Sequence, residues 1–507
     1  MNKLKSLCLV FAMTTVTAAD AGGILTNTNQ NIHFLRNPAR DGAICIDGVY
    51  SNPAGVVFLG EGFHLSLNIQ NARQTREITS TNPFFVLGEK NDGKDTKLFK
   101  GKADAPIIPS IQAAYNKSRW SFQFNFAITG GGGKCEFADG LGSFESVVGA
   151  IASQLAPLGS KGYDVDGYMQ GRQYYYGSQL GAAYKINEHW SVYGGARLLY
   201  GSASYKAKLD NIRVKTDGGF VSFDKFLDNA GTTLVGGINQ CTAGIGQVQA
   251  GIAQYEAAGL PVPAELTQQL ATLQATKAKL EGSLENIEQL EPYRNGVNLM
   301  ADQTGWGIAP IIGVDYKTGN FNFAAKYEFK TRMRMKNKST VKEASLIDAV
   351  NKYRDGSDVP EDTPALLALG AQWSITPSVR LNLGYHHFFD KDAHSYKHQE
   401  KLLDGGTNEY LGGAEWDITK RLQVSGGVQF TRYLMTDEYM NDMSFVVNSY
   451  SFGLGLGYKI TDKVNVNLAY FQTNYEDYDR VTSVNPRISD SFTRTNRVLG
   501  VGVDLKI

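Results

Sequence analysis

The strongest constraint on this chain is a repeated two-residue alternation of apolar and small or polar side chains. Between Ser449 and Ile460 one parity carries Tyr450, Phe452, Leu454, Leu456, Tyr458 and Ile460. The other carries Ser449, Ser451, Gly453, Gly455, Gly457 and Lys459. Successive side chains of a strand point to opposite faces, so this segment is a strand with one apolar and one small or polar face. A soluble sandwich would show more charge and less glycine on its polar face. Reading the chain for this period gives strands near 61–72, 108–117, 119–130, 173–186, 190–208, 304–317, 321–334, 363–375, 379–390, 408–418, 421–433, 448–460, 464–474 and 492–506.

The connections between these strands alternate in length. The short ones include Asn116-Lys117-Ser118, Asn187-Glu188-His189, Thr318-Gly319-Asn320, Thr376-Pro377-Ser378 and Thr461-Asp462-Lys463. Those between them run from about 14 to about 95 residues. Short turns at one end and long loops at the other are the asymmetry of an outer-membrane barrel. All five Trp fall on the apolar parity near strand ends: Trp120, Trp190, Trp306, Trp373 and Trp416. That is where two interfacial aromatic girdles would sit. Composition agrees, with 55 Gly, 26 Tyr and 25 Phe against 14 Pro, and zero net charge excludes the basic bias of a nucleic-acid binder. The expected fold is all-β: a transmembrane antiparallel β-barrel of about 14 strands.

The remaining segments are assigned around that barrel. Lys3 and Lys5, the apolar stretch Leu7 to Met13 and the small residues Thr17 to Ala21 read as a signal peptide over 1–21, with cleavage after Ala19 or Ala21. An open 14-stranded lumen would leak. Residues 22–60, punctuated by Gly22-Gly23, Asn37-Pro38 and Asn52-Pro53-Ala54-Gly55, are available as a hatch inside it. The barrel then occupies 61–507. Its long extracellular loop 209–303 carries a helical hairpin, from the near-heptad stripe Leu266, Leu270, Leu273, Leu280, Leu284 and Ile287 opposite Ile245, Val248 and Ile252. Gly130, Gly131, Gly132 and Gly133 end the third strand, across from Pro106 and Pro109. Proline removes ladder donors and glycine permits bulges, so pairing is expected to fail there, with Pro310 a second such position. Cys135 and Cys241, both placed in long loops, are a candidate disulfide, leaving Cys45 free in the hatch.

Enzyme readings find little support. His386 and His387 face opposite sides of a strand, and His394 and His398 have chelating spacing only on a helix. Gly130 to Lys134 lacks the spacing of a phosphate loop. The expectation is a non-enzyme without cofactor or metal.

Three stretches resemble the FadL family of outer-membrane transporters of long-chain fatty acids and other hydrophobic compounds. These are Ala21-Gly22-Gly23, Tyr50-Ser51-Asn52-Pro53-Ala54-Gly55, and Tyr184-Lys185-Ile186-Asn187-Glu188-His189-Trp190-Ser191. The resemblance implies capture of a hydrophobic ligand or fatty acid at the outside and binding within the barrel. A hatch movement around Asn52, Pro53 and Ala54 then permits lateral release through a gap in the wall near the third strand. For an acidic ligand, the inward parity offers Arg197, Lys326 and Lys330 as carboxylate partners, with Tyr193 and Leu199 beside them; Arg380 and His386 also face inward. The resemblance adds Lys206 and Lys208, although a regular strand would turn both outward. Expected partners are outer-membrane lipid and the barrel assembly machinery, with a monomer as the expected state. The alternative is a structural or adhesive barrel that binds partners through its long loops.

Overall fold

The computed structural model describes residues 24–342 and 348–507; the signal-peptide assignment, 1–21, lies outside them. Fourteen antiparallel strands close the barrel. They are β1 Gly62–Thr81, β2 Thr96–Lys117, β3 Trp120–Phe137, β4 Gly162–Lys185, β5 Trp190–Thr216, β6 Val297–Thr318, β7 Phe321–Glu328, β8 Leu366–Thr376, β9 Val379–Phe388, β10 Thr407–Asp417, β11 Leu422–Arg432, β12 Ser449–Thr461, β13 Val464–Tyr475 and β14 Arg487–Lys506. β14 closes the ring on β1, in register from His64 opposite Lys506 to Thr81 opposite Ser489. Short strands at 219–222, 334–339, 358–360 and 478–484 extend the wall in the long loops.

The alternation is built as expected. On β1, Leu67 and Ile69 are exposed while Ser66, Asn68 and Gln70 are buried in the lumen. All five Trp are exposed on the outer face. Trp190 stacks near Tyr316 with centroids 4.4 Å apart, and Trp306 near Tyr200 at 4.5 Å. Ten residues separate Trp190 from Tyr200 on β5. At about 3.4 Å per residue and a tilt of about 40°, that is roughly 25 Å, the height of a membrane barrel's apolar band.

The strands run further than the alternation shows. β4 has 24 residues and β5 has 27. Beyond the apolar band β1 turns Arg73, Thr75, Glu77 and Thr79 outward. Those side chains meet water, so no apolar parity marks the strand there. The expected strand 321–334 is broken instead. β7 ends at Glu328, because Pro310 on β6 has no N–H to continue the ladder. Phe329 N bonds the Pro310 carbonyl at 3.0 Å, and pairing with β6 resumes only at Thr304–Lys336.

Two further features complete the outside. α2 Gly142–Gln154 follows β3 and packs Phe144 and Val148 into the upper interior; α1, in the hatch, is Ile32–Arg36. The helical hairpin is α3 Phe223–Ala257 and α4 Ala264–Glu288, turning at Gly259. Leu273 and Leu280 of α4 pack on Gly244 and Gly237 of α3. With 35 residues, α3 is about 50 Å long. Among the described residues no helix is long and apolar enough to cross a membrane. The expected Cys135–Cys241 disulfide does not form. Cys135 sits on β3 inside the apolar interior and Cys241 lies within α3, and both are free. The error came from ending β3 at residue 130, which put Cys135 in a loop.

Candidate functional site

Residues 24–57 lie almost wholly buried within the barrel. Their core is small: Ile32, Phe34 and Leu35 of α1 meet Phe471 and Val498 of the wall. Ile46, Val49, Val56 and Val57 add two smaller apolar contacts, and the polar partners fall into two sets of different strength.

The larger part of the hatch is held by buried charge. Arg36 donates to Asn467, Gln423 and Ser425 at 2.5, 2.6 and 2.9 Å. Arg40 pairs with Asp47 at 2.7 Å and with Glu415 of β10 at 2.5 Å. His33 meets Asp504 of β14 at 2.9 Å. His386 of β9 lies between Asp41 of the hatch at 3.0 Å and Glu409 of β10 at 2.7 Å. The Asn52-Pro53-Ala54 segment is bonded along its length. Asn52 donates to Asp315 of β6 at 2.6 Å, Gln123 donates to the Pro53 carbonyl at 2.7 Å, and Ser191 donates to the Ala54 carbonyl at 2.7 Å.

In the N-terminal part of the hatch, Thr26, Asn27, Asn29 and Gln30 meet the wall through neutral hydrogen bonds and backbone pairing. Asn27 N donates to the Thr129 carbonyl at 2.8 Å, and Asn27 Nδ2 to the Gly131 carbonyl at 2.9 Å. Gln70 bonds the Asn29 carbonyl at 2.7 Å and Ser110 the Gln30 carbonyl at 2.5 Å. Thr26 bridges Gly130 as an extra antiparallel residue.

That contact sits where the wall fails. β2 and β3 pair from Gly101–Phe137 to Asp104–Lys134 and again from Ile111–Phe126, with no ladder between. Residues 105–110, with Pro106 and Pro109, are thus not paired with 127–133, although each stretch keeps pairs with its other neighbour, β1 or β4. Gly131 and Gly133 have φ of +79° and +75°, left-handed values that bend β3. The register of β3 against β4 slips twice over the same stretch. The interruption expected from Pro and Gly is therefore present. Ile128 of β3 is opposite Tyr176, which stacks with Tyr200, so the interruption lies at the outer edge of the apolar band. In this conformation only a cavity of about 20 Å³ remains there, room for about one water.

Above the hatch lies a large apolar cluster, with Arg76, Arg494, Lys352 and Glu361 buried among it. Tyr175, Leu199, Met333, Met335, Met440, Met443 and Phe445 belong to one buried cluster beneath the loops. Ile24 packs close by with Leu403, Tyr433 and Val446. Methionine is adaptable, so such a core can repack around a guest. Outside it lies a groove of about 670 Å³, lined by Phe84, Val147, Leu402, Tyr439 and Ile488 among polar residues. Two loop carboxyls guard this region. Burial pushes Asp390 up to about 6 despite its bonds from Thr407, and burial with Asp490 nearby pushes Asp442 up to about 6.

The inward cations are placed as follows. Arg197 is fully buried, donates to Glu328 and to Gln179, and lies 5.1 Å from the Tyr50 ring of the hatch. Lys326 donates to the Tyr50 carbonyl at 2.7 Å and lies 4.1 Å from its ring. Both face the hatch. Lys330 is at the break after β7, bonded to the Asp392 carbonyl at 2.7 Å, and Arg380 pairs with Glu415 and Asp417. The Tyr193 hydroxyl accepts from Gln179 at 3.1 Å beside the hatch, whereas Leu199 lies in the apolar cluster. Lys206 and Lys208 point outward, as regular pairing through this stretch of β5 requires. Sequence reasoning missed the Thr26–Gln30 contact and the methionine cap. Met333 and Met335, two apart on the lumen parity, were the available signal.

Comparison with solved structures settles the architecture. A FadL homologue of Pseudomonas aeruginosa aligns over 96% of this chain and 100% of its own, at a TM-score of 0.58 and 11% identity. The chain has the FadL-type fold. The toluene transporter TodX of P. putida aligns over 91% of this chain and 94% of its own (TM-score 0.50, 13% identity), and the toluene transporter TbuX of Ralstonia pickettii over 95% and 99% (TM-score 0.50, 13% identity). No protein-family model and no curated protein matches the sequence. At such identities the FadL-type fold is what is shared: a 14-stranded barrel with its outward apolar band, which makes this an outer-membrane β-barrel.

Proposed function

We propose that the protein carries hydrophobic small molecules across the outer membrane and releases them sideways through the β2–β3 interruption. The observation that carries this reading is a large apolar cluster above the hatch, coincident with the break in the wall. A hatch held through buried charge fills the space below, a methionine-rich apolar cluster lies above among buried charges, and the 105–110 and 127–133 stretches, unpaired with each other, meet the bilayer where the two join. An apolar chain gains about 0.8 kcal/mol per CH₂ on leaving water, so a sideways route into lipid is downhill where an aqueous channel is not.

The two strengths of hatch attachment support a division into a moving and a fixed part. Neutral hydrogen bonds contribute about 0.5–1.5 kcal/mol each, whereas breaking a buried ion pair costs about 3–5 kcal/mol. Thr26, Asn27, Asn29 and Gln30 make contacts of the first kind, and this segment can be displaced by a ligand. The body of the hatch, including Asn52-Pro53-Ala54, is held to the wall by buried charge and polar anchors and stays. Ligand enters at the outer groove, displaces the methionine cap and Ile24, and leaves past Gly131. For an acidic ligand, Arg197 or Lys326 would receive the carboxylate only by exchanging a hatch or wall partner. The sequence resemblance to the FadL family suggests fatty acids as cargo, and the toluene transporters suggest aromatic hydrocarbons.

The test is uptake of a radiolabelled long-chain fatty acid and of toluene by cells with and without the protein. Faster entry of either supports transport. Equal rates for both would reject it and leave the adhesive reading, for which the α3–α4 hairpin is the natural surface.

A further inference from the structure

We propose that His394, His398 and Glu400, in the loop between β9 and β10, form a surface site for a divalent transition-metal ion. The donor atoms of the three residues all lie within 4.8 Å of one another. Two imidazoles and a carboxylate are a donor set that late first-row ions, zinc foremost, take readily. The spacing alone would give a site only on a helix. Here the segment is not a regular helix: Lys397 and His398 have φ of +54° and +56°, both left-handed. That reversal turns His398 back toward His394, with ring centroids 5.7 Å apart. Two consecutive left-handed residues that are neither glycine nor asparagine are costly, and such strain concentrates at functional positions.

The supports around the donors are those a metal site needs. Glu400 is 3% exposed, and its Oε2 accepts from Ser395 N at 3.0 Å and Ser395 Oγ at 2.8 Å. This fixes the carboxylate and leaves Oε1 toward His398 Nδ1, 3.1 Å away. The His394 backbone is held by Asp362 through both its N–H and its carbonyl. Both imidazoles are exposed, so an ion can arrive from the medium and keep a water ligand. Gln399 and Leu402 of the same segment line the outer groove, so a bound ion would stiffen that wall. A second cluster, His33, Cys45 and Asp47, is less suited. Arg40 already occupies both Asp47 oxygens and Asp504 occupies His33.

The experiment titrates cobalt(II) and zinc(II) into the full-length barrel in detergent, purified without a histidine tag, with folding checked by heat-modifiable gel mobility. One equivalent should bind, with visible cobalt d–d bands and no thiolate charge-transfer band. His394→Ala and His398→Ala should abolish binding, and Glu400→Gln should weaken it at least tenfold. Zinc should also protect the two histidines of the unaltered protein from diethylpyrocarbonate, a readout that needs no variant. The proposal is overturned if the unaltered protein binds no ion, if the double histidine variant binds as well as the parent, or if a thiolate band appears and vanishes with Cys45→Ser.

Discussion

Replacing both left-handed glycines of β3 by valine, Gly131→Val with Gly133→Val, should close the wall without touching the outer groove. A side chain held at positive φ costs about 1–2 kcal/mol per residue, so the pair penalises the bent strand by about 2–4 kcal/mol. At 1.36 kcal/mol per factor of ten, the bent form loses more than an order of magnitude in population against an extended one. Gly131 carries an added penalty, because its Cβ would lie against the backbone of Gln173, with the carbonyl carbon only 2.7 Å away. Gly133 has room, its nearest neighbour being Ala105 Cβ at 3.4 Å. Gly133→Ala therefore isolates the effect of φ, and Gly131→Ala adds the clash. The assay is the initial rate of hydrophobic-probe uptake in cells, beside probe binding to the purified barrel. Uptake should fall at least tenfold in the double variant, with binding largely kept and Gly131→Ala more affected than Gly133→Ala. Normal uptake by a correctly assembled double variant would refute the reasoning and favour a straight path past the hatch.

Three other outcomes are expected. Arg197→Ala leaves Glu328 buried without its cation and should cost about 3–5 kcal/mol of stability in urea unfolding, much of it restored by Arg197→Met with Glu328→Gln; an unchanged midpoint in the single variant would contradict this. Asp390 and Asp442 titrate near 6, above the ordinary carboxyl value, so their contribution is present below about pH 4 and lost as pH rises through 6. Each carboxyl contributes at most about 3 kcal/mol in this way; protease protection of the outer loops should decline between about pH 4 and 6, and Asp390→Asn with Asp442→Asn should flatten the profile. On intact cells a membrane-impermeant maleimide should label Ala275→Cys on α4 and not Ser378→Cys in a short turn, in a background lacking the native cysteines; the reverse would invert the topology.

The barrel was legible because membrane and lumen impose opposite demands on alternate residues. Leu454 and Gly455 could be sorted to their faces without any structure. Where that contrast ends, so does the signal. The outer half of β1, from Arg73 to Thr79, is polar outside and reads as loop, and the same blindness placed Cys135 wrongly. The break at Gly130 to Gly133 was readable because Pro and Gly act through the local backbone. What Arg197 touches was not: its partners Glu328 and Gln179 lie on other strands, and its ring neighbour Tyr50 lies in the hatch. Thr26 to Gln30 carry no motif, and their role arises only from meeting a bent strand about a hundred residues away.

The most direct measurement of the central claim fixes the hatch while leaving the wall free. Asn52→Cys and Asp315→Cys, in a background of Cys45→Ser, Cys135→Ala and Cys241→Ser, can be joined by a short bifunctional thiol reagent, since these side chains are now in hydrogen-bond contact. Lateral release past Thr26 to Gln30 predicts that cross-linked barrels take up the hydrophobic probe at the uncross-linked rate, and that adding Gly131→Val with Gly133→Val then stops them. Uptake that ceases on cross-linking alone would mean that the body of the hatch must move, and release by displacement of Thr26 to Gln30 alone would be wrong.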